Sequence, residues 1–419
     1  MDKKTIETDV LVVGSGPAGI SAAYTAAKHG AKVVLVEQCG DVGGISTVGL
    51  MSHWVGQCGS KVYHEVLRRS AEKQEGEYHN KITKWIDSEK LKTLYLEMLL
   101  EVGVEILLYT FACDAIMEGN QVKGVQVVNK SGFIDIYAKV VIDGTGDGDI
   151  AYKSGAEYYK GREEDGKMQP VTIMFKIGGV DYERAVFPGS FESLVQVEKG
   201  ELQALAKQIL PPPAGHVLLY PTTLPGIVNC NMTNCIDIDG TDAKDLTRAT
   251  ITCRRQMEHI IEFLRAYAPG YENAFIITSA SLIGVRETRH FKGEYALTKE
   301  DILQAKVFED YVVKDAYFNF DVHNITGAGL DATGVQHKFE QKNGYTIPYR
   351  CLLPEKIENL LLSGRNISGT HMAHSNFRAM PICAGTGEAA GAAAAIAVRE
   401  NIPVRAVQAS DIRALIFSK

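Results

Sequence analysis

The chain has 419 residues, 45% apolar and 23% charged, an ordinary globular balance with length enough for two or three domains. Its formal net charge of -7 and pI near 5.9 argue against nucleic acid or an anionic membrane surface as the main partner. Eight scattered cysteines with no CxxC pair exclude iron–sulfur cluster spacing and fit reduced thiols in a cytoplasmic protein.

The opening MDKKTIETDV has no apolar signal segment and runs into Val10 to Val13, a β-branched run of the kind that forms a buried parallel strand. Gly14-Ser15-Gly16-Pro17-Ala18-Gly19 follows, then an Ala-rich helical pattern from Ile20 to about His29 and a second strand, Lys32 to Val36, ending on Glu37. In that setting Gly14 allows a tight strand-to-helix turn, Gly16 lets the backbone approach a pyrophosphate, and Gly19 lets the helix pack on the strand. The helix that opens at Pro17 and Ala18 points its unpaired N–H groups at the phosphates. Glu37 stands where a ribose hydroxyl pair would be held. The stretch predicts a dinucleotide site and leaves open which dinucleotide.

Gly43-Gly44 and a Gly/Ser/Thr-rich loop come next, then helices over Lys61 to about Gln74 and from Asp87 or Ser88 to a stop at Gly103. Strands are predicted at Glu105 to Ile116, Gln121 to Val128 and Phe133 to Ala138, a meander with turns at Gly119-Asn120 and Lys130 to Gly132. A short buried strand, Lys139 to Ile142, leads into the Gly-rich turn Asp143 to Asp149. That turn reads either as a second cofactor contact or as a solvated acidic loop, and the strand before it favours the first. Between about Met168 and Lys338, strand-like runs (Val171 to Ile177, Val217 to Tyr220, Gly226 to Ile238) alternate with helical ones (Leu246 to Tyr267, Lys299 to Val313). No GxGxxG follows a strand there, so this segment is expected to be a substrate-side domain with a mixed or antiparallel sheet. The chain then returns through a strand, Asn359 to Leu362, and a turn, Ser363 to Gly369. A small-residue helix, Gly385 to Arg399, ends the pattern. Its apolar part, Ile382 to Val398, contains Glu388 and is short for a bilayer span, so no membrane is expected.

GSGPAG with Glu37, the Gly43-Gly44 pair, the DGTGDGD turn and the terminal LLLSGRNIS and GTGEAAGAAAAIA stretches together resemble FAD-dependent oxidoreductases of the glutathione-reductase-like flavoprotein superfamily. With GVRETRHFKGEYALTKEDI (Gly284 to Ile302), the chain is similar to the flavoproteins grouped with heterodisulfide reductase, and more distantly to fumarate reductase flavoproteins. The resemblance implies an α/β fold: a doubly wound, Rossmann-like FAD-binding domain built from residues 1–167 and 339–419, with an inserted mixed α+β substrate domain, 168–338. It implies that Gly14, Gly16, Pro17, Ala18 and Gly19 hold the FAD pyrophosphate and Glu37 the adenosine ribose. Gly43, Gly44 and Thr47 would lie along the flavin side, and Gly144, Thr145 and Asp147 on the opposite strand tip. Gly364 and Arg365 would meet the pyrophosphate or ribityl chain, and the helix through Gly385 and Gly387 the flavin's pyrimidine end. The cluster cysteines of the heterodisulfide group are missing here, and the residues around His53 do not match the covalent attachment loop of fumarate reductases. Noncovalent FAD is therefore expected.

The polar group expected to face the flavin is Thr370 to Arg378. Dehydrogenating a C–H bond needs a base while the flavin takes the hydride, which suits His371 or His374, and Arg378 would anchor a carboxylate or stabilise an enolate. Either His could instead cap or pack, and Arg378 could bridge to a surface acid. In Arg286-Glu287-Thr288-Arg289-His290, Arg286 reads as structural and Arg289 as a site residue; Tyr349-Arg350 reads as structural. Cys230 and Cys235 fall on opposite faces of a strand-like run, which argues against a redox disulfide, and Cys39 reads as a small buried residue. His323 and His337 have no acid or Cys partner at ligand spacing, so no metal is expected. The expected activity is two-electron FAD-dependent oxidoreduction of a small organic molecule. An electron-transfer subunit with an iron–sulfur partner, a non-enzymatic dinucleotide-binding protein and a homo-oligomer stay open.

Overall fold

A computed structural model describes residues 4–331, 341 and 343–418. It opens with β1 (Lys4–Val13), α1 (Pro17–Lys28), β2 (Val33–Val36), α2 (Lys61–Lys73), α3 (Ser88–Glu101), β3 (Glu105–Leu107), β4 (Phe111–Glu118), β5 (Gln121–Asn129), β6 (Gly132–Asp143), α4 (Asp149–Lys153) and β7 (Tyr158–Lys160). The central segment holds β8 (Phe175–Gly178), β9 (Gln196–Val197), β10 (Gly200–Glu201), α5 (Leu202–Ile209), β11 (Leu219–Pro221), β12 (Val228–Cys230), α6 (Ala243–Tyr267) and β13 (Phe275–Ser279). β14 (Arg289–Phe291), α7 (Lys299–Leu303), β15 (Tyr311–Ala316), β16 (Tyr345–Pro348), β17 (Leu360–Leu362), α8 (His371–Phe377), α9 (Met380–Glu400) and α10 (Ala409–Phe417) complete it.

The main sheet runs β3-β2-β1-β6-β5-β4, with β17 also on β6. β3, β2, β1, β6 and β17 are parallel neighbours, while β4, β5 and the first half of β6 are antiparallel. β6 serves both parts: Gly132 to Tyr137 pair with β5, and Val141 to Asp143 pair with β17. Buried Val and Leu side chains fill Val10 to Val13 of β1 and all of β2 and β17, as expected of strands covered on both faces. α1 and α9 cover the sheet with their backbones in contact, because a Cβ on Gly387 would lie 2.0 Å from the Ala18 carbonyl oxygen and one on Gly391 2.3 Å from that of Ala22.

A second core, running from Val171 to Ala280 and joined by Leu50, surrounds the antiparallel sheet β11-β12-β8-β13 and the long helix α6. Phe291, Leu297, Phe308, Val312 and Phe320, which the sequence pattern assigns to the inserted segment, pack instead into the first core.

Several expected boundaries move for local reasons. The predicted strand Glu105 to Ile116 breaks at Tyr109, whose φ of 52° is left-handed, and its halves join opposite parts of the sheet. The two strands predicted over Phe133 to Ile142 are one, β6. Lys299 to Val313 is not one helix: α7, closed by a Thr298–Asp301 capping box, stops before Ala305 at φ 50°, and buried Val312 and Val313 continue as β15. Gly226 to Ile238 yields only the three residues of β12: beyond it the Thr233 hydroxyl takes both backbone groups of Ile173, and the Gln256 amide takes both of Asn234, in place of ladder bonds. α9 starts at Met380, five residues ahead of the expected Gly385, and its 21 residues are long and apolar enough to cross a membrane. The protein buries 94% of that apolar window.

Candidate active site

The Gly-rich turn after β1 is held from three sides. Gly14 N–H donates to Val36 O (2.8 Å), Gly43 N–H to Ser15 O (2.8 Å), and Gly144 N–H to Val13 O (2.8 Å). A Cβ on Gly14 (φ 89°) would sit 2.6 Å from Gly144 O, and one on Gly19 only 1.8 Å from Gly14 O. Both positions therefore exclude any side chain. A Cβ on Gly16 would meet nothing within 4 Å, so the turn is open there, next to the N-terminus of α1. Glu37 is buried at the tip of β2, accepting from Ser15 N–H (2.9 Å), Ser15 O–H (2.6 Å) and Cys39 N–H (2.8 Å). Cys39 is half-buried, and burial followed by Glu37's charge pushes its thiol up to about 12. Gly364 (φ 93°) abuts the Ala18 methyl, and its N–H donates to Thr386 Oγ1 (2.9 Å). Pro17 and Ala18 fill the first turn of α1.

Thr47 donates to Val42 O (2.5 Å), so its hydroxyl shapes the Gly43–Gly44 loop from within. Gly385 abuts Cys58 Sγ, and Gly387 abuts α1; both lie inside α9 rather than at its N-terminus. That terminus is Ala379 to Ile382, with a Pro in its first turn.

Asp143, wholly buried, organises the turn after β6. Its Oδ1 accepts from Thr145 N–H and O–H, and its Oδ2 from Ile150 and Ala151 N–H, the first turn of α4. Burial pushes its carboxyl up to about 6 even against these donors. Asp147 pairs with Arg365 (2.7 Å) and accepts from Thr288 O–H (2.6 Å). Arg289, expected to meet substrate, is engaged by this turn: it donates to Asp147 O and Asp149 Oδ1 (both 2.9 Å) and lies over the Tyr152 ring.

The histidines gather around a carboxylate that the sequence alone does not single out. Glu287 Oε1 lies 2.6 Å from His371 Nδ1 and 2.8 Å from His290 Nε2, while its Oε2 accepts from Gln169 N–H (3.0 Å). All three residues are buried. Burial works against charge on Glu287, yet the hydrogen bonds and charges of the two histidines hold its carboxyl well below the usual range. For His371 burial is the largest influence and lowers its pKa, but the hydrogen bond and charge of Glu287, with Glu163 and Glu164, raise it overall. His290 Nδ1 faces Gly369 O (3.2 Å), and its ring meets His374 edge-on at 4.9 Å. His374 is held well below its ordinary pKa by burial and then by His290; its Nδ1 has no hydrogen-bond partner among the described residues. The Glu287, His290 and His371 ligand atoms lie within 4.8 Å of one another, a three-residue cluster that linear spacing does not suggest.

Arg378 donates to Asp321 O and Oδ2 (2.7 and 2.8 Å), and its Nε is buried without a partner among the described residues. His323 Nε2 lies 3.3 Å from the same carboxylate, giving that His an acid neighbour; His337 lies outside the described residues. Arg350 pairs with Asp310 and Tyr349 O–H reaches Val404 O, both structural. Cys230 and Cys235 are free, buried thiols, and burial raises the pKa of each.

A family model for FAD dependent oxidoreductases matches residues 9–416. The chain belongs to that family. The chain is 27% identical over 157 residues to digeranylgeranylglycerophospholipid reductase of Picrophilus torridus, covering 34% of this chain and 40% of that protein. It is 31% identical over 195 residues to thiamine thiazole synthase of Aeropyrum pernix, covering 41% and 66%. The matches thus span 40% to 66% of these relatives' lengths. These relatives are neither heterodisulfide reductase nor glutathione reductase proteins, so the resemblance read from the motifs stands at the level of the FAD-dependent oxidoreductase family. The fold is that of p-nitrophenol 4-monooxygenase PnpA from Pseudomonas putida, at TM-score 0.50 and 12% identity over 99% of this chain and 84% of that one. The cofactor is FAD. The residues present fit it: the open face at Gly16 suits a pyrophosphate, while His374 Nδ1, Arg378 Nε and Ser363 Oγ are buried polar atoms lacking partners among the described residues.

Proposed function

We propose that this FAD-dependent oxidoreductase transfers a hydride between a small organic substrate and noncovalently bound FAD, with His371 moving the proton. Gly14 to Gly19 would hold the pyrophosphate and Glu37 the ribose. Gly43, Gly44, Gly144, Gly364 and Arg365 would flank the chain between them and the flavin, with the N-terminus of α9 at the pyrimidine end. Bound FAD supplies the hydride acceptor or donor.

The buried 2.6 Å contact between His371 and Glu287 carries this reading. The carboxylate holds the proton on Nδ1, leaves Nε2 to take or give one, and stabilises the imidazolium that results. His374, kept neutral, offers its unpartnered Nδ1 as a hydrogen bond to substrate, and Arg378 orients an oxygen of the substrate.

An anaerobic screen for compounds that bleach the flavin bands supplies the substrate, and rapid mixing then compares wild type with His371→Asn and His374→Asn. His371→Asn is expected to slow flavin reduction about a hundredfold or more with an unchanged oxidised spectrum. Because His371 must be neutral to accept a proton and its pKa is raised above 6.5, the wild-type rate should rise with pH above that value. An identical pH profile in His371→Asn would exclude His371 as the proton carrier.

A further inference from the structure

Between the two cores lies a polar cluster of which the hydride-transfer reading uses only Arg378. Arg286, just before β14, is buried, and among the described residues its guanidinium makes one hydrogen bond, to Pro170 O (2.6 Å), and no ion pair. The charges that bear on it are those of Arg378 and of the half-buried Asp321. Asp321 is already shared between Arg378 (2.8 Å) and His323 (3.3 Å). Arg378 thus holds that carboxylate by an ion pair, while Arg286 has no ion pair among the described residues. Buried charges are ordinarily matched, because an unpaired one keeps its full desolvation cost.

The neighbouring histidines do not alter the tally. Burial and the charge of Arg286 hold His323 down to about 4, and burial and His323 hold His216 down to about 3, so both are neutral near pH 7. Phe191 packs edge-on against both rings at 4.9 Å. Unsatisfied polar atoms belong to the same cluster. His216 Nδ1 is buried without a partner among the described residues, and so is Gln169 Nε2, whose Oε1 accepts from His323 N–H (3.1 Å). Among the described residues the cluster thus holds two guanidiniums and one carboxylate, with unpartnered polar atoms and an aromatic ring beside them.

We infer that Arg286 binds the carboxylate of a small organic acid, the substrate whose oxidation or reduction was proposed above; the inference rests on that reading for the word substrate, and on the cluster alone for the anion site. Arg286 presents its remaining donors as a planar fork matched to a carboxylate. Arg378, held by Asp321, bounds the site on the side of α9, and Phe191 packs against the body of the acid. The sequence pattern assigns Arg286 to structure and Arg289 to the site; in this proposal the two roles are exchanged.

The test uses the FAD-loaded protein and matched neutral analogues: propionate, crotonate and benzoate against their amides, each titrated while the flavin spectrum and the thermal midpoint are followed. At least one acid is expected to perturb the flavin bands and raise the midpoint, with its amide binding at least tenfold more weakly. Arg286→Gln, checked for normal FAD content, is expected to abolish the preference of acid over amide. If that variant fails to fold, Arg286→Lys, which keeps the charge and loses the fork, should weaken acid binding about tenfold. Equal binding of acid and amide in every pair, or undiminished acid binding in the variant, overturns the inference. An acid that binds through Arg286 without ever exchanging electrons with the flavin leaves the anion site standing and removes the hydride-transfer reading. Bleaching of the flavin by neutral compounds alone leaves the hydride-transfer reading standing and removes the acid as its substrate.

Discussion

Replacing Glu287 by Gln tests the centre of the proposed site with almost no change in shape. The carboxylate accepts from His371 at 2.6 Å and His290 at 2.8 Å through one oxygen, and from Gln169 N–H through the other. An amide keeps one acceptor, so at least one charge-assisted hydrogen bond is lost and the charge opposite the histidines disappears. Each such bond contributes about 1.5–3 kcal/mol, and breaking a buried pair by removing one partner costs about 3–5 kcal/mol. A loss of about 3–5 kcal/mol is therefore expected. Its pH dependence has a definite sign. Glu287's folded pKa lies below 4.5, so its contribution is present above that pH and fades as pH falls. His371's lies above 6.5, so its contribution is complete below that pH and fades as pH rises through the raised value. The gap between wild type and Glu287→Gln should be widest between 4.5 and 6.5 and narrower well above it. Urea unfolding of the FAD-loaded proteins at about pH 5.5 and about pH 9, followed by circular dichroism, measures it. A gap under about 1 kcal/mol at the lower pH, or one that widens towards the higher, would refute the reasoning.

Gly16→Ala and Gly19→Ala should separate cofactor contact from packing. The first puts a methyl into open space and should leave apoprotein stability within about 0.5 kcal/mol while weakening FAD binding tenfold or more. The second drives a methyl to 1.8 Å from Gly14 O and should cost about 3 kcal/mol or more before any cofactor is added, read from apoprotein melting and bound flavin. Asp143→Asn turns an amide N–H₂ toward the N–H groups of Ile150 and Ala151 and should cost about 2–4 kcal/mol in urea unfolding. Arg365→Met leaves Asp147 without its ion pair beside the turn and should raise the FAD dissociation constant about tenfold, measured by fluorescence of released flavin.

The nucleotide half of the fold is legible because its signals are local. Val10 to Gly19 and Glu37 carry strand, turn, helix and acid within one βαβ unit, and the structure places them in register along β1 and β2. Periodicity fails where tertiary packing decides. Lys299 to Val313 has helical composition at its start, but Val312 and Val313 are buried by pairing of β15 with β16 rather than by a helix face. β6 runs parallel to β1 along its length, but on its other edge its two halves have partners of opposite direction, a fact about the sheet rather than about the segment.

The chemistry is less legible for a related reason. His371 stands out from its own neighbourhood, but the partner that raises its pKa stands 84 residues earlier, inside a basic-looking block where Glu287 passes for a solvated acid between two arginines. The two arginines of that block cannot be told apart by type or spacing. They differ in what surrounds them: Arg289 finds Asp149 and the Asp147 carbonyl, whereas Arg286 has no ion pair among the described residues and Asp321 is committed to Arg378 and His323. A residue satisfied within the fold has its role there, and a buried cation left over points outward, to a ligand. Composition carries no information on that difference, because it is a property of where the second core meets the first. Arg286 follows the last strand of one core and Asp321 follows β15 of the other, so only the assembled pair of cores shows which arginine has no ion pair among the described residues.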